Sequence, residues 1–303
     1  MTTAGEQGTD ASAGTGSRQP NAIVVGVDTS NACLDAARWA AREAVVRGTT
    51  LRLLHASVFG RLPHDGHQSG RQDDDLLLES ADRWIGLATA AAVKAAPRVR
   101  VVSEVRLGIA PELLVEESAS AALIVVGSHG LGGLRGLLVG SVALKVAAQA
   151  SCPVIVMRGP AAPPEGPIVV GVDDSAESER AVEFAMEIAC VREVPLVVVH
   201  AWHEETSRAA LAEKELRERH ALENRMDSWG VKYPEVEIRV SAVRDRDAAH
   251  ALLGQSVGAQ LLVVGSRGRG PVAGGLLGST GNALLSTASC PVAVAHERRQ
   301  RRR

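Results

Sequence analysis

Residues 23–28 have the sequence Ile-Val-Val-Gly-Val-Asp, and residues 168–173 repeat it. Each run is short, apolar and rich in β-branched residues, which is typical of a strand buried on both faces of a parallel sheet. Three further segments recur in the same order: residues 51–56 as 196–201, 123–128 as 261–266, and 151–154 as 289–292. Four matches in one order indicate that a single unit was duplicated, so the chain is predicted to contain two similar domains.

The composition around these repeats predicts where the domains begin and end. The first domain is expected at residues 21–157 and the second at residues 168–296. Residues 158–167 (RGPAAPPEGP) have the Pro and Gly content of an exposed, semi-rigid linker. Residues 1–20 are rich in Gly, Ser, Thr and Ala without an apolar core, which indicates a disordered tail. Residues 297–303 are basic and are expected to form a solvated tail.

Within each half, strands and helices are predicted to alternate. Helices are expected at residues 75–96 and 205–229, and strands at residues 99–105, 236–243, 153–157 and 291–295. The last two strands begin with proline, which suits a strand start or a sheet edge. Thr29 or Ser30 can cap the first helix, and Ser175 can cap the matching helix of the second half. The fold class is therefore α/β, with a five-stranded, mostly parallel sheet and helices on both faces in each half.

Composition excludes several classes of protein. The 303 residues are 46% hydrophobic, which is enough to build two cores, but only 2% are aromatic. A net charge of -2 gives no reason to expect nucleic acid as the main partner. No run of about 18 apolar residues is present, so no membrane span is expected. The four cysteines lie far apart without a Cys-x-x-Cys pair, which predicts reduced, buried thiols in a cytoplasmic protein.

A glycine-rich segment follows the fourth strand of each half. Residues 127–130 (GSHG) lead to Gly140-Ser141, and residues 265–268 (GSRG) lead to Gly278-Ser279-Thr280 with the same spacing. Glycines let the backbone approach a ligand closely and adopt positive φ. The helix that begins at each serine offers N–H groups and a positive dipole end to an anion. The pattern therefore predicts phosphate binding in both halves.

The glycine segments also allow other interpretations. One alternative is a mobile loop with Ser141 and Ser279 as ordinary N-caps, but two copies at one spacing favour binding. The chain has no Gly-x-x-x-x-Gly-Lys-Ser/Thr motif, so no P-loop lysine is available. Residues 268–273 match Gly-x-Gly-x-x-Ala, but they follow a fourth strand and include Pro271, which argues against a dinucleotide site of the Rossmann type.

Gly-x-x-Gly, nine residues and then Gly-Ser resembles the nucleotide-binding signature of the universal stress protein family. The strand ending Gly26-Val27-Asp28 and the strand ending His55-Ala56 are also similar to that family. The resemblance covers nearly the whole chain outside the tails and linker, so it implies two tandem Rossmann-like domains, each binding ATP. It also implies that two such domains pair through their last strands, either within the chain or in a homodimer.

The resemblance assigns ATP-binding roles by position. Valine and aspartate at the end of the first strand and alanine at the end of the second would contact adenine and ribose, and the glycine segment would line the ribose and phosphates. In the first half these residues are Val27, Asp28, Ala56, Gly127, His129, Gly130, Gly140, Ser141 and Val142. In the second half they are Val172, Asp173, Ala201, Gly265, Arg267, Gly268, Gly278, Ser279 and Thr280.

The second half departs from the family pattern at two positions. Gly108 precedes the third helix of the first half, whereas alignment places Arg246 there in the second half. Arg267 replaces His129, and its planar donors could strengthen a phosphate contact or merely be solvated. The two sites are therefore expected to differ in affinity.

The remaining candidate groups are interpreted more simply. Asp28 and Asp173 end their strands at the expected ligand edge, although a carboxylate there could instead cap the next helix. His55 and His200 are expected to be hydrogen-bonded structural residues. The histidines of residues 64–67 (HDGH) lie in a polar loop and are assigned no metal-binding role.

No catalytic residues are predicted, because no base or paired carboxylates are placed to activate water. The sequence predicts a regulator in the stress response that couples ATP occupancy to its conformation or to an unidentified protein partner, with at most slow hydrolysis. Mg²⁺ would be held mainly by the phosphates. Two alternatives remain open: an ATP-dependent hydrolase or transferase, and an interaction scaffold that binds no nucleotide. The sequence also does not distinguish ATP from AMP or cyclic AMP.

Overall fold

The computed structural model of the chain describes residues 20–57, 69–128, 139–159, 163, 165–205, 207–268 and 277–296. The first half contributes β1 Ile23–Val27, α1 Asn31–Val46, β2 Thr50–Ser57, α2 Ser69–Ala95, β3 Arg100–Leu107, α3 Ala110–Ser118, β4 Leu123–Gly127, α4 Ser141–Gln149 and β5 Val154–Met157. The second half contributes β6 Ile168–Val172, α5 Ala176–Arg192, β7 Leu196–Trp202, α6 Arg208–Lys232, β8 Ile238–Arg244, α7 Ala248–Gln255, β9 Leu261–Gly265, α8 Ser279–Thr287 and β10 Val292–Ala295.

The strands form one continuous sheet in the order β3-β2-β1-β4-β5-β10-β9-β6-β7-β8. Within each half, every pairing is parallel. The halves join where β5 and β10 pair antiparallel, with Ile155 opposite Ala293. The predicted α/β class is confirmed, and the two five-stranded sheets are halves of a ten-stranded one. The suggestion that the proline-led last strands form an edge is wrong, because β5 and β10 lie at the centre of the sheet.

Helices cover both faces of the sheet. One continuous apolar cluster packs α1, α2, α5 and α6 on one face, and a second packs α3, α4, α7 and α8 on the other. Alternate residues of each strand point to opposite faces, so Val25 belongs to the first cluster and Val24 to the second. Both faces of the inner strands are therefore buried, as the continuous apolar runs predict.

The predicted elements are present, but several of their ends differ. Helix α2 begins at Ser69, before the predicted start, because its first turns are polar and lack the apolar periodicity used to find it. Helix α6 begins at Arg208, where the preceding Ser207 side chain accepts a hydrogen bond from Ala210 N. Strands β3 and β8 each begin and end later than predicted. Helix and strand ends are set by such local hydrogen bonds and not by hydrophobic pattern alone.

Helices α1 and α5 contact each other where the two halves join, through residues related by the repeat. The Arg47 guanidinium lies over the Phe184 ring at 5.9 Å, and Arg192 lies over the Trp39 ring at 5.0 Å. Both arginines also pair with the buried Glu43, at 2.6 Å and 3.2 Å. The reciprocal cation–π contacts and the shared carboxylate fix one half against the other.

A second reciprocal contact links the residues that follow the last strand of each half. Arg158, just after β5, donates to Ser286 O at 2.8 Å and to Ala288 O at 3.1 Å, at the end of α8. His296, just after β10, lies with Nε2 2.9 Å from Ala147 O, in the last turn of α4. Each half therefore holds the C-terminal end of the other half's glycine-capped helix, where a donor is favoured.

The contact made by His296 predicts a specific pH dependence of stability. Burial, with a smaller contribution from the neighbouring Arg267, lowers the pKa of His296 from 6.5 to about 4, although the hydrogen bond to Ala147 O acts in the opposite direction. The folded protein therefore resists protonating this imidazole, whereas the unfolded chain accepts a proton below its ordinary pKa. The contribution of neutral His296 to the free energy of unfolding is therefore complete above about pH 6.5. It is lost as the pH falls from 6.5 toward 4, which lowers the free energy of unfolding by roughly 3 kcal/mol.

The measurement is urea unfolding of the wild type and His296→Gln at pH 7 and pH 5. Glutamine keeps a donor for Ala147 O and does not titrate, so all other titrating groups cancel in the comparison. The loss of stability between the two pH values should be smaller in the variant by roughly 2 kcal/mol. An equal loss in both proteins would show that His296 titrates normally in the folded state.

Candidate functional site

The sheet order places a ligand site in each half. In the second half, β7 lies on one side of β6 and β9 on the other, so the strand order reverses beside β6. Ligands bind beyond the carboxyl ends of parallel strands at such a reversal. A cavity of about 310 Å³ lies there, within the usual range for small-molecule sites.

All nine residues that the sequence assigns to the second site line this cavity. They come from the ends of β6, β7 and β9, from the loop after β9 and from the first turn of α8. They are Val172, Asp173, Ala201, Gly265, Arg267, Gly268, Gly278, Ser279 and Thr280.

The sequence prediction missed other lining residues: Gly171, Ser178, Val199, His200, Ala248, Leu252, Val264 and Gly281. Ser178 carries a usable signal, since a serine one turn into a helix that follows a strand-end aspartate can reach back to that loop. His200 is a hydrogen-bonded structural residue as predicted, with Nδ1 3.1 Å from Val172 O, and it also faces the cavity.

The cavity has an apolar side and a polar side. Val172, Ala201 and Leu252, from β6, β7 and α7, supply aliphatic surface. The loop after β9 and the start of α8 supply the Arg267 guanidinium and the hydroxyls of Ser279 and Thr280. This division suits a ligand with a flat apolar end and an anionic end.

The start of α8 is built to leave room for an anion. Its N-cap is Gly278, which has no side chain to accept a hydrogen bond from the first turn, and Ser279 is the first helical residue. The first N–H groups of a helix have no acceptor within that helix. Helix α4 begins in the same way, with Gly140 as N-cap and Ser141 after it. The alternative in which the two serines are the N-caps is therefore wrong.

Two of the glycines are required by close packing, and none of the described site glycines has positive φ. Gly140 and Gly278 have φ of -62° and -59°, so the expectation of positive φ is wrong for both. A Cβ on Gly265 would lie 2.9 Å from Glu177 Cβ in the first turn of α5. A Cβ on Gly268 would lie 2.9 Å from Asp173 Oδ2. At these two positions a side chain would push apart the segments that enclose the cavity.

The two strand-end aspartates organise the turn that follows them. Asp28 Oδ1 accepts from Ser30 N at 2.9 Å and from the Ser30 hydroxyl at 2.5 Å. Asp173 Oδ1 accepts in the same way from Ser175 N at 2.9 Å and from the Ser175 hydroxyl. Ser175 caps α5 as predicted, by accepting from Ser178 N at 3.3 Å. Ser30 is the N-cap residue of α1, as predicted, but its side chain makes no cap hydrogen bond.

The first half repeats this arrangement where the structure describes it. The described candidates lie at the carboxyl ends of β1, β2 and β4 and at the start of α4: Val27, Asp28, Ala56, Gly127, Gly140, Ser141 and Val142. His55 Nδ1 lies 2.9 Å from Val27 O, which confirms its structural role. His129 and Gly130 lie outside the described residues, as do the histidines of residues 64–67.

The loop before the third helix differs between the halves, although not at the residue that alignment indicates. Gly108 N donates to the last residue of β2 at 2.8 Å, and Asp245 N donates to the last residue of β7 at 2.9 Å. The hydrogen-bond pattern therefore matches Gly108 with Asp245 and not with Arg246. Two residues separate β3 from α3, whereas residues 245–247 separate β8 from α7. Gly108 has φ of 151°, which favours glycine, and the longer loop avoids that requirement.

In the described ranges, no helix is long and apolar enough to cross a bilayer. In the same ranges, no group of three His, Cys, Asp or Glu side chains is arranged to hold a metal ion.

The fold and cavity define a tandem α/β protein with a small-molecule site at the strand reversal. The family model described as "Universal stress protein family" matches residues 21–158 and again residues 166–296. The chain belongs to the universal stress protein family, in its tandem two-domain form.

Relatives of similar length support this assignment. The chain is 37% identical over 295 residues to Universal stress protein Rv2623 of Mycobacterium tuberculosis, covering 91% of this chain and 96% of the relative. It is 35% identical over 297 residues to Universal stress protein Rv2005c of the same organism, covering 92% and 98%. A crystal structure of a universal stress protein from Archaeoglobus fulgidus has the same fold, with a TM-score of 0.65 at 20% identity, covering 91% of this chain and 96% of that one.

Proposed function

We propose that this protein is an ATP-binding regulator of the stress response, with one adenine-nucleotide site in each half. The observation that supports this most directly is the cavity of the second half. It combines aliphatic surface, a strand-end carboxylate and an uncapped helix start, which suit the base, the ribose and the phosphates of a nucleotide. Occupancy of the sites would change the conformation of the chain or its affinity for a protein partner.

The polar side of the cavity favours several phosphates over one. The start of α8 attracts an anion through its N–H groups and dipole. Arg267 supplies a second, separate group of donors that can bind phosphate in a bidentate manner. Two cationic elements side by side suit a di- or triphosphate better than a single phosphate, which is why we propose ATP and not AMP. Mg²⁺ would arrive with the phosphates and be held mainly by them.

We place the protein in the cytoplasm, where its four free cysteines would stay reduced. Cys33, Cys152 and Cys290 are buried, and burial raises the pKa of the Cys33 thiol to about 12. The last strands of the two halves pair with each other inside the chain. A homodimer of whole chains would therefore use a surface other than β5 and β10.

Calorimetric titration of the full chain, freed of bound ligand, tests the proposal. ATP with Mg²⁺ should bind with a stoichiometry near two, and adenosine should bind more weakly. Arg267→Gln should raise the Kd for ATP at one of the two sites by about tenfold, because charged hydrogen bonds to phosphate are lost. The Kd for adenosine, which has no phosphate, should be unchanged. Absence of binding by any adenine nucleotide would favour a scaffold, and rapid turnover of ATP would favour an enzyme.

A further inference from the structure

Arg225, which lies on α6 and does not line the cavity, makes hydrogen bonds to the loop that carries Asp173. All three nitrogens of the Arg225 guanidinium, on α6, make hydrogen bonds. Nη1 donates to Asp173 O at 2.7 Å, and Nη2 donates to the Ser178 hydroxyl at 2.7 Å. Nε donates to Glu179 Oε1 at 2.7 Å, which orients the guanidinium. Arg225 thus connects α6 to the end of β6 and to the first turn of α5.

This contact completes the fixation of Asp173. The Ser178 hydroxyl also donates to Asp173 O at 2.6 Å, so that carbonyl oxygen accepts two hydrogen bonds. A carbonyl oxygen has two lone pairs, and both are used. On the side chain, Oδ1 accepts from Ser175 N at 2.9 Å, and Oδ2 lies 2.9 Å from the position that a Cβ on Gly268 would occupy. Both the peptide plane and the carboxylate of Asp173 are therefore fixed at the edge of the cavity.

In the described residues of the first half, no arginine holds the matching loop. The repeat spacing falls to 137 residues along α2 and α6, since the hydrogen bond from Ala96 N to Ala92 O recurs as Tyr233 N to Trp229 O. The same spacing relates buried Ile85 to buried Leu222, so Ala88, which has no donor on its side chain, occupies the place of Arg225. Cys33 occupies the place of Ser178, and its thiol donates to Asp28 O at 3.2 Å. A thiol is a weak donor compared with a guanidinium and a hydroxyl. In the described part of the first half, Asp28 therefore has a well-held carboxylate but a weakly held carbonyl.

We propose that Arg225 is a positioning residue for the second nucleotide site, acting through Asp173, and that the first site has no counterpart. The inference rests on the proposed function. Arg225 does not line the cavity, so it acts by holding the loop in its binding conformation before the ligand arrives. Pre-organisation of this kind lowers the cost of ordering on binding. It favours the part of the ligand that meets Asp173, which is the nucleoside and not the phosphates.

The test measures ATP and adenosine binding by calorimetry in full chains carrying Gly140→Asp, so that only the second site responds. Arg225→Gln should raise the Kd for both ligands by the same factor, about tenfold. Arg225→Lys should restore part of the affinity, because one ammonium cannot donate in three fixed directions. Arg217→Gln is the matched control, since Arg217 lies on the same helix and, among the described residues, forms an ion pair with exposed Glu213. The affinity of the Arg217→Gln variant for ATP and for adenosine should be unchanged.

Hydrogen exchange gives a readout that needs no ligand. The amides of residues 175–178 should exchange faster in Arg225→Gln than in Arg217→Gln, because the turn after Asp173 loses its anchor. Unchanged affinity in Arg225→Gln would overturn the inference while leaving nucleotide binding intact. A raised Kd for ATP with an unchanged Kd for adenosine would also overturn the inference, since the lost affinity would then reflect the positive charge of Arg225 alone. A parent protein that binds neither ligand would overturn both the inference and the proposed function.

Discussion

Gly278→Asp should abolish ATP binding at the second site and leave α8 folded. Gly278 has φ of -59°, which any residue can adopt, and its added Cβ would meet no atom closer than Gly268 N at 3.8 Å. The new carboxylate would therefore fit at the helix start, where aspartate is a preferred N-cap. It would occupy the position proposed for phosphate. At about 5 Å and an effective dielectric of about 20, each repulsion between carboxylate and phosphate costs about 3 kcal/mol, or more than 100-fold in Kd.

The same variant separates loss of the phosphate site from loss of the fold. Thermal unfolding of Gly278→Asp should be unchanged or slightly raised, and adenosine should still bind. Gly278→Ala is the control, because it fills the same space without charge, and its affinity for ATP should fall only slightly. Gly140→Asp should remove the first site alone, and both changes together should remove all ATP binding. Retention of two ATP sites by Gly278→Asp would show that the start of α8 does not bind phosphate.

The sheet and the second cavity could be predicted because they depend on local, repeated patterns. A buried parallel strand needs a continuous apolar run, and the segments at residues 23–28 and 168–173 show it directly. Within each half, the carboxyl ends of neighbouring parallel strands meet at the strand reversal, so the residues that follow these strands lie close together. The glycine spacing then identifies which helix start faces the same point.

Contacts between distant elements could not be predicted. Arg225 is one of several charged residues on α6, and nothing in its neighbourhood along the chain marks it as the one that reaches Asp173. The contacts of Arg158 and His296 depend on which strands join the halves. Side-chain networks of this kind follow from the relative placement of packed layers, and that placement becomes visible only in three dimensions.

The junction of the halves also determines how the two sites are related. Because β5 and β10 run antiparallel, the carboxyl ends of the two sets of parallel strands lie at opposite edges of the sheet. Helix α8 begins at the second site and ends against Arg158, which follows the last strand of the first half. Each glycine-capped helix therefore extends from its own site toward the other half. A movement of either helix on ligand binding would therefore displace its contacts with the other half.

Glu117→Ala is expected to cause the largest loss of stability. Glu117 is 0% exposed and pairs with two arginines of the first half, Arg52 from β2 and Arg106 from β3, the latter at 2.6 Å. Arg52 is itself only 6% exposed and keeps Glu104 as its other partner, at 3.0 Å. Removing one member of a buried ionic network leaves a cation poorly compensated in a low-dielectric environment, which costs about 3–5 kcal/mol.

The neighbouring Glu116→Ala supplies the control for this prediction, because Glu116 is 47% exposed and contacts the same Arg106 at 3.4 Å. An exposed pair of that kind contributes at most about 1 kcal/mol. Urea unfolding at pH 7 should therefore separate the two variants by several kcal/mol, although they lie next to each other on α3. The second half has Val197 and Gln255 in place of Arg52 and Glu117, so its site does not depend on this network. Below its unfolding temperature, Glu117→Ala should therefore still bind ATP at the second site. Equal free energies of unfolding for Glu117→Ala and Glu116→Ala would show that the buried network adds little to the stability of the fold.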